Sequence, residues 1–410
     1  MPKFHQTRVR EDRQRSALVE NRAPYRPPCP HYPHCVGCPL IDVPYPEQLA
    51  RKRAIVCESF ARYPSLAAVE VPRVAAAPQR LAYRTRVKLV VRRNRDQIAL
   101  GLYVPQSHRV IDVTSCPVHP RPVNQVAQYL KKKILELRIT PYDERDDSGD
   151  LRYVDFRFSA ARQQLSITLV TRHSSFPAGA QLSHQLVKRF TFVTGVIQNI
   201  NEERGNVILG KSFRTLAGRE TLMERIGDVK LVFPPGVFSQ ANPATARKLY
   251  ESVRAFADLT GRETVLDLYC GVGPISLYLA PAARQIWGVD DSELAINTAK
   301  QNARRNGRGN CRFLAGEVAA TATQLKADLS DVDLIVANPP RKGAQPAAMK
   351  AILEFDAPKL IYVSCEPTTL ARDLDRLVTG GYRIEHLALF DMFPQTEQVE
   401  SMALLIKHNV

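Results

Sequence analysis

From about residue 244 to the carboxyl end, helical stretches alternate with short runs that are apolar almost throughout, at 264–269, 285–290, 333–337 and 359–365. A strand covered on one face alternates apolar and polar residues, whereas a strand covered on both faces does not. These runs therefore predict a parallel sheet held between its own helices, a doubly wound α/β domain over 244–410. Such sheets bind ligands beyond the carboxyl ends of their strands, so the residues that close each run are the first candidates for chemistry. A chain of 410 residues, 44% of them hydrophobic, has room for two or three domains with cores of their own.

The first run leads into VLDLYCGVGP, a strand followed by a turn with Gly271 and Gly273. A dinucleotide fingerprint needs a third glycine where Ser276 stands, so NAD fits poorly and S-adenosyl-L-methionine fits better. Asp290 closes the second run, placed to accept hydrogen bonds from ribose hydroxyls; its plainer role is to cap the following helix. Asn338 opens the stiff turn NPPRKG after the third run and offers both a donor and an acceptor. Cys365 closes the last run. A thiolate at a cleft serves covalent addition, which a methyl acceptor such as carbon 5 of a pyrimidine requires because that carbon is a poor nucleophile. The plainer alternative is a buried, inert cysteine.

The first half reads differently. Alternating segments at 85–91, 98–104, 154–158 and 165–170, with another at 206–210, predict a strand-rich middle region. A helix over 46–62 precedes it, with Leu49, Ile55, Val56 and Phe60 on its apolar face, and is placed to pack on the catalytic domain. Cys29, Cys35 and Cys38 share a proline-stiffened loop, and Cys116 stands as a possible fourth ligand. Four thiolates suit an iron-sulfur cluster or zinc, with His31 and His34 as alternative zinc ligands. Cys57, Cys270 and Cys311 read as core or turn residues. The plan is thus a basic arm over 1–28, a cysteine-bearing and strand-rich region over 29–243, and the α/β domain.

With 57 Lys and Arg against 41 Asp and Glu, the net charge of +16 points to a polyanionic partner. Arg84, Arg86, Lys88, Arg92, Arg93 and Arg95 are candidates to hold phosphates, and are equally suited to be solvated strand charges. No run approaches the length of a membrane span and the first residues carry no apolar signal core, so a cytoplasmic protein is expected.

Together the cysteine loop, SHRVIDVTSCPV, NVILG, GVFSQANPATARKLY, VLDLYCGVG, NPPRKG, VSCEPTTLARDL and FPQTEQVES resemble the RNA 5-methyluridine methyltransferase family, in particular its iron-sulfur branch acting on 23S ribosomal RNA. The resemblance implies a class I, Rossmann-like methyltransferase domain and a monomer that binds RNA, neither DNA nor membrane. It implies that Cys29, Cys35, Cys38 and Cys116 bind a 4Fe-4S cluster, and that Gln240, Tyr269, Asp290 and Asn338 contact S-adenosyl-L-methionine. Cys365 is then the nucleophile and Glu400 the general base. A transfer-RNA T-loop uridine is the nearest alternative substrate, and an inactive RNA-binding protein a more distant one. Three features depart from the family pattern: Glu366 stands where relatives usually carry Asn, Gln395 and Gln398 where they often carry His, and Pro274 where they carry a more flexible residue. The 28 residues before Cys29 are too few for the small RNA-binding barrel of some relatives, so target choice is expected to rest on the middle region and the arm.

Overall fold

The computed structural model describes residues 26–408 apart from Thr114, Asn206 and Ser330. The basic arm, except for residues 26–28, lies outside the described residues. Helix α1 (Tyr45–Phe60) and the short strand β1 (Val74–Ala75) come first. A seven-stranded sheet follows, built from β2 (Arg86–Asn94), β3 (Gln97–Tyr103), β4 (Val110–Asp112), β5 (Leu151–Ser159), β6 (Gln164–Thr171), β7 (Val193–Ile200) and β8 (Ser212–Gly218) in the order β4-β3-β2-β5-β6-β7-β8. Helices α2 (Arg121–Glu136) and α3 (Ala178–Arg189) share its core, with Val123, Val126, Leu130 and Leu182 fully buried. β6 and β7 run parallel across α3, and the other neighbours are antiparallel.

After the hairpin of β9 (Leu222–Ile226) and β10 (Val229–Phe233), the chain enters a doubly wound domain. Its elements are α4 (Pro243–Ala257), β11 (Thr264–Leu268), α5 (Pro274–Leu279), β12 (Gln285–Asp290), α6 (Glu293–Arg305), β13 (Cys311–Ala315), α7 (Val318–Asp328), β14 (Leu334–Ala337), α8 (Pro346–Phe355), β15 (Lys359–Ser364), α9 (Pro367–Thr379), β16 (Tyr382–Phe390) and β17 (Glu400–Lys407). The strands stand in the order β1-β16-β17-β15-β14-β11-β12-β13, with β17 antiparallel to both neighbours. Every residue of β11 and β14 is buried, because one apolar cluster covers each face of the sheet. The strand order reverses between β11 and β14, which opens a crevice at their carboxyl ends.

Two expectations are corrected. Residues 207–210 form no strand; Asn201 Nδ2 donates to the carbonyls of Val207 (2.7 Å) and Ile208 (3.1 Å), and the Asn199 side chain bonds Gly210. Side-chain amides thus replace a backbone ladder there. Helix α1 buries Tyr45, Gln48, Lys52, Val56, Ser59 and Phe60, leaving Leu49 and Ile55 half-buried. Its polar residues go inside because partners await them: Lys52, fully buried, pairs with Asp391, which also accepts from the Tyr45 hydroxyl at 2.7 Å. α1 packs on α9, and β1 adds in parallel to β16, so this early segment belongs to the catalytic sheet. The two sheets meet where Thr85 N donates to Ala241 O at 2.7 Å and the Arg157 guanidinium to Pro234 and Val237 carbonyls. Among the described residues no helix is long and apolar enough to cross a membrane.

Candidate active site

β15 ends at Ser364 and α9 begins at Pro367, so Cys365 occupies the bend between a buried strand and a helix start, half-buried. Ser364 lies opposite Ser401 in the antiparallel pairing of β15 with β17, so Cys365 follows and Glu400 precedes the last pair of that ladder, close enough for their charges to interact. Glu400 is 4% exposed. Burial pushes its carboxyl up to about 7, an effect opposed by the Arg341 guanidinium. Burial and the Glu400 charge raise the Cys365 thiol, while the Arg341 guanidinium acts the other way. A thiol, a carboxyl with an affinity for a proton near neutrality and one exposed arginine therefore form a single electrostatic unit.

Tyr269, Asp290 and Asn338 each stand at the carboxyl end of a strand around the neighbouring crevice. Tyr269 follows β11 with φ +61°, a left-handed conformation unusual for a tyrosine, and burial pushes its hydroxyl up to about 12. Gly271, at φ +55°, has no heavy atom within 4 Å of where a Cβ would stand, so the turn is open to close approach. Asp290 closes β12 and accepts from Gly271 N at 2.9 Å and Ser292 N at 3.0 Å, which ties the turn to the next strand while burial raises its pKa. Asn338 N donates to Leu268 O at 3.2 Å, placing that residue across the switch point from Tyr269. Gln240, just before α4, lines a small cavity with Thr85, Arg157 and Glu224.

Cys29, Cys35, Cys38 and Cys116 line one cavity of about 240 Å³, with His31, Arg84 and Lys88 also in its wall. The long chain separation of Cys116 from the others is closed by the edge of the middle sheet. Burial pushes the thiols of Cys38 and Cys116 up to about 12 and 11, and the charges of Cys29 and Cys35 act on both in the same direction. Among the described residues no three His, Cys, Asp or Glu side chains are gathered closely enough to hold a single metal ion. His34 is not among the residues lining the cavity.

Comparison with known proteins settles the family. Residues 44–408 match the model of tRNA (uracil-5-)-methyltransferases. The chain is similar to an uncharacterised RNA methyltransferase of Geobacter sulfurreducens, 39% identical over 93% of this chain and 77% of that protein. The chain belongs to the RNA uracil-C5 methyltransferase family. A second relative, an uncharacterised RNA methyltransferase of Halalkalibacterium halodurans, is 35% identical over 99% of this chain and 87% of its own length. The tRNA (uracil-54, C5)-methyltransferase of Pyrococcus abyssi, solved with S-adenosyl-L-homocysteine, shares the fold with a TM-score of 0.73, at 27% identity over 91% of this chain and 86% of that one.

In this methyltransferase Glu366 is engaged at the start of α9: its Oε1 accepts from Thr368 Oγ1 at 3.0 Å. Gln395 is buried and bonded to Gln48 and Leu40, so it serves packing between α1 and the β16–β17 loop. Pro274 takes the first position of α5, where its missing N–H costs nothing. Two groups in the site went unassigned in the sequence. Arg341 stands inside NPPRKG, where a cation beside the cleft was the available signal. Asp267 is fully buried, its carboxyl pushed up to about 7, with Oδ2 bonded to Ser276 and Oδ1 without a partner among the described residues. Of the six cations proposed for phosphates, Arg86 approaches Asp155 at 3.7 Å and Arg92 pairs with Asp143 and Glu144, while Arg93 and Arg95 are exposed at the β2–β3 turn.

Proposed function

We propose that this protein methylates carbon 5 of a uridine in 23S ribosomal RNA, using S-adenosyl-L-methionine, with Cys365 as nucleophile and Glu400 as base. The observation that carries the reading is the meeting of Cys365, Glu400 and Arg341 at the carboxyl end of β15. Arg341 favours the thiolate, whose sulfur adds to carbon 6 of the uracil and so makes carbon 5 nucleophilic. S-adenosyl-L-methionine, when bound, supplies the electrophilic methyl group. Glu400 then takes the proton from carbon 5, the carbon 6 to sulfur bond breaks, and the thiolate leaves as the ring regains its double bond. A target uridine must first leave its stack to reach a thiol set in this crevice.

The residues suit the cofactor: Gly271 leaves room for close approach, Asp290 keeps carboxylate lone pairs for ribose hydroxyls, and Asn338 flanks the same crevice. The four cysteines suit a 4Fe-4S cluster. They surround a cavity rather than a point, and a cluster spreads its ligands over several irons, whereas one zinc draws all four sulfurs to about 2.3 Å. Bound there, a cluster would tie the amino-terminal loop to the middle sheet. The cysteine set favours ribosomal RNA; the likeness to a tRNA (uracil-54, C5)-methyltransferase favours transfer RNA as the second reading. Both are tested by mixing the protein and S-adenosyl-L-methionine with 5-fluorouridine-substituted 23S ribosomal or transfer RNA, because fluorine cannot leave carbon 5 as a proton. A denaturation-stable adduct with one RNA, absent with Cys365→Ala, identifies nucleophile and substrate together. No adduct with either RNA would overturn the assignment.

A further inference from the structure

Lys300, Arg304, Arg308 and Arg312 surround one open groove of about 890 Å³ at the edge of the catalytic sheet, between the end of α6 and strand β13, and no acidic residue lines it. Among the described residues none of the four forms a salt bridge. The Arg312 guanidinium lies over the Trp287 ring, 5.6 Å from its centroid, and Arg308 Nε has no hydrogen-bond partner among the described residues. Gly307 and Gly309 form the lip, with nothing within 4 Å of where their Cβ atoms would be, so a ligand can approach the backbone.

A second basic groove, on the middle sheet, carries acids in its wall: Arg92, Arg145 and His108 are each within salt-bridge distance of Asp143 or Glu144, while Arg93 and Arg109 form no salt bridge among the described residues. At the β13 edge the charge is unmatched. The C-terminal dipole of α6 favours Arg304 in its last turn, but it does not explain Arg308, beyond the helix end, or Arg312, on the strand. Four unpaired cations with no competing carboxylate present donors only, and an acceptor-rich polyanion complements such a lining.

We propose that this groove binds the phosphate backbone of the substrate RNA as an anchoring site separate from the uridine pocket. The inference rests on the RNA-methylating reading above. β13 stands four strand spacings from β15 and the groove lies at its amino-terminal end, so it is more than about 20 Å from Cys365, which follows the carboxyl end of β15. An RNA held at both places must extend well beyond the target loop, and a short oligonucleotide that fills only the crevice cannot reach the groove.

The test compares the triple variant Lys300→Glu, Arg304→Glu, Arg312→Glu with a control of equal charge change, Arg51→Glu, Lys350→Glu, Arg383→Glu, whose residues are exposed and already paired on other faces. Thermal melting establishes that both are folded. Affinity for a 23S ribosomal RNA transcript and for a short uridine-containing oligonucleotide is measured by fluorescence anisotropy over a range of salt. The groove variant is expected to bind the transcript at least about tenfold more weakly than the control, with a slope of log affinity against log salt shallower by about two, and to bind the oligonucleotide as the control does. Equal losses in the two variants, or an equal loss on the oligonucleotide, would overturn the proposal. The 5-fluorouridine adduct of the wild type is scored separately, so a wrong substrate and an idle groove give different results.

Discussion

Cys365 and Glu400 lie at the same end of two neighbouring strands because β17 runs antiparallel to β15 with Ser364 opposite Ser401. A parallel β17 would have carried Glu400 to the opposite end of the sheet, away from the crevice. The topology of one strand therefore makes the proposed nucleophile and the proposed base neighbours.

Replacing Glu400 with Gln should lower kcat by about 10²–10⁴ and let a covalent protein-RNA adduct accumulate on ordinary uridine, because the carbon 5 proton has no acceptor. In the wild type, kcat/KM should rise with pH through about 7 as Glu400 ionises. Stability should move the other way. Its folded pKa lies above the unfolded value, so the protonated form is favoured in the fold and stability falls as pH rises from the unfolded value through about 7. Glu400→Gln should accordingly be the more stable protein at alkaline pH, by up to about 3 kcal/mol, read from melts at two pH values.

Arg341→Ala removes the cation that holds down the proton affinities of both Cys365 and Glu400. Alkylation of Cys365 by iodoacetamide should slow at neutral pH, and the rate profile should shift to higher pH, with a loss of about tenfold at pH 7. Arg341→Lys should recover part of it. An unmoved pH profile in the alanine variant would show that the guanidinium acts on substrate alone.

Lys52→Met strands Asp391 in the core with only the Tyr45 hydroxyl as a side-chain donor. The expected cost is about 3–5 kcal/mol, seen as a lower denaturant midpoint. Adding Asp391→Leu should restore part of that loss, since the unpaired charge is then gone.

Cys116→Ser should reduce the iron and acid-labile sulfide bound by anaerobically purified protein and weaken its visible absorption. Cys57→Ser, which packs on the core of the catalytic sheet and does not line the cavity, should change neither. Equal iron in the two variants would remove Cys116 from the ligand set.

The sequence by itself determined the doubly wound sheet and most of the residues at its carboxyl edge, because burial on both faces writes an unbroken apolar run and a Gly-rich turn follows directly from it. Period-two segments marked β2, β3, β5 and β6 for the same local reason. The segment 206–210 misled, since its pattern resembles a strand while the amides of Asn199 and Asn201 take the bonds that a neighbouring strand would make. Only the tertiary structure decided the rest. α1 turns Gln48 and Lys52 inward because Gln395 and Asp391, more than 300 residues away, satisfy them. Glu366 bonds Thr368, Cys116 closes on the amino-terminal loop, and Glu400 comes close to Cys365 through strand register. Periodicity records whether a residue is covered; it does not record by what, and the chemistry of this site depends on which distant groups do the covering.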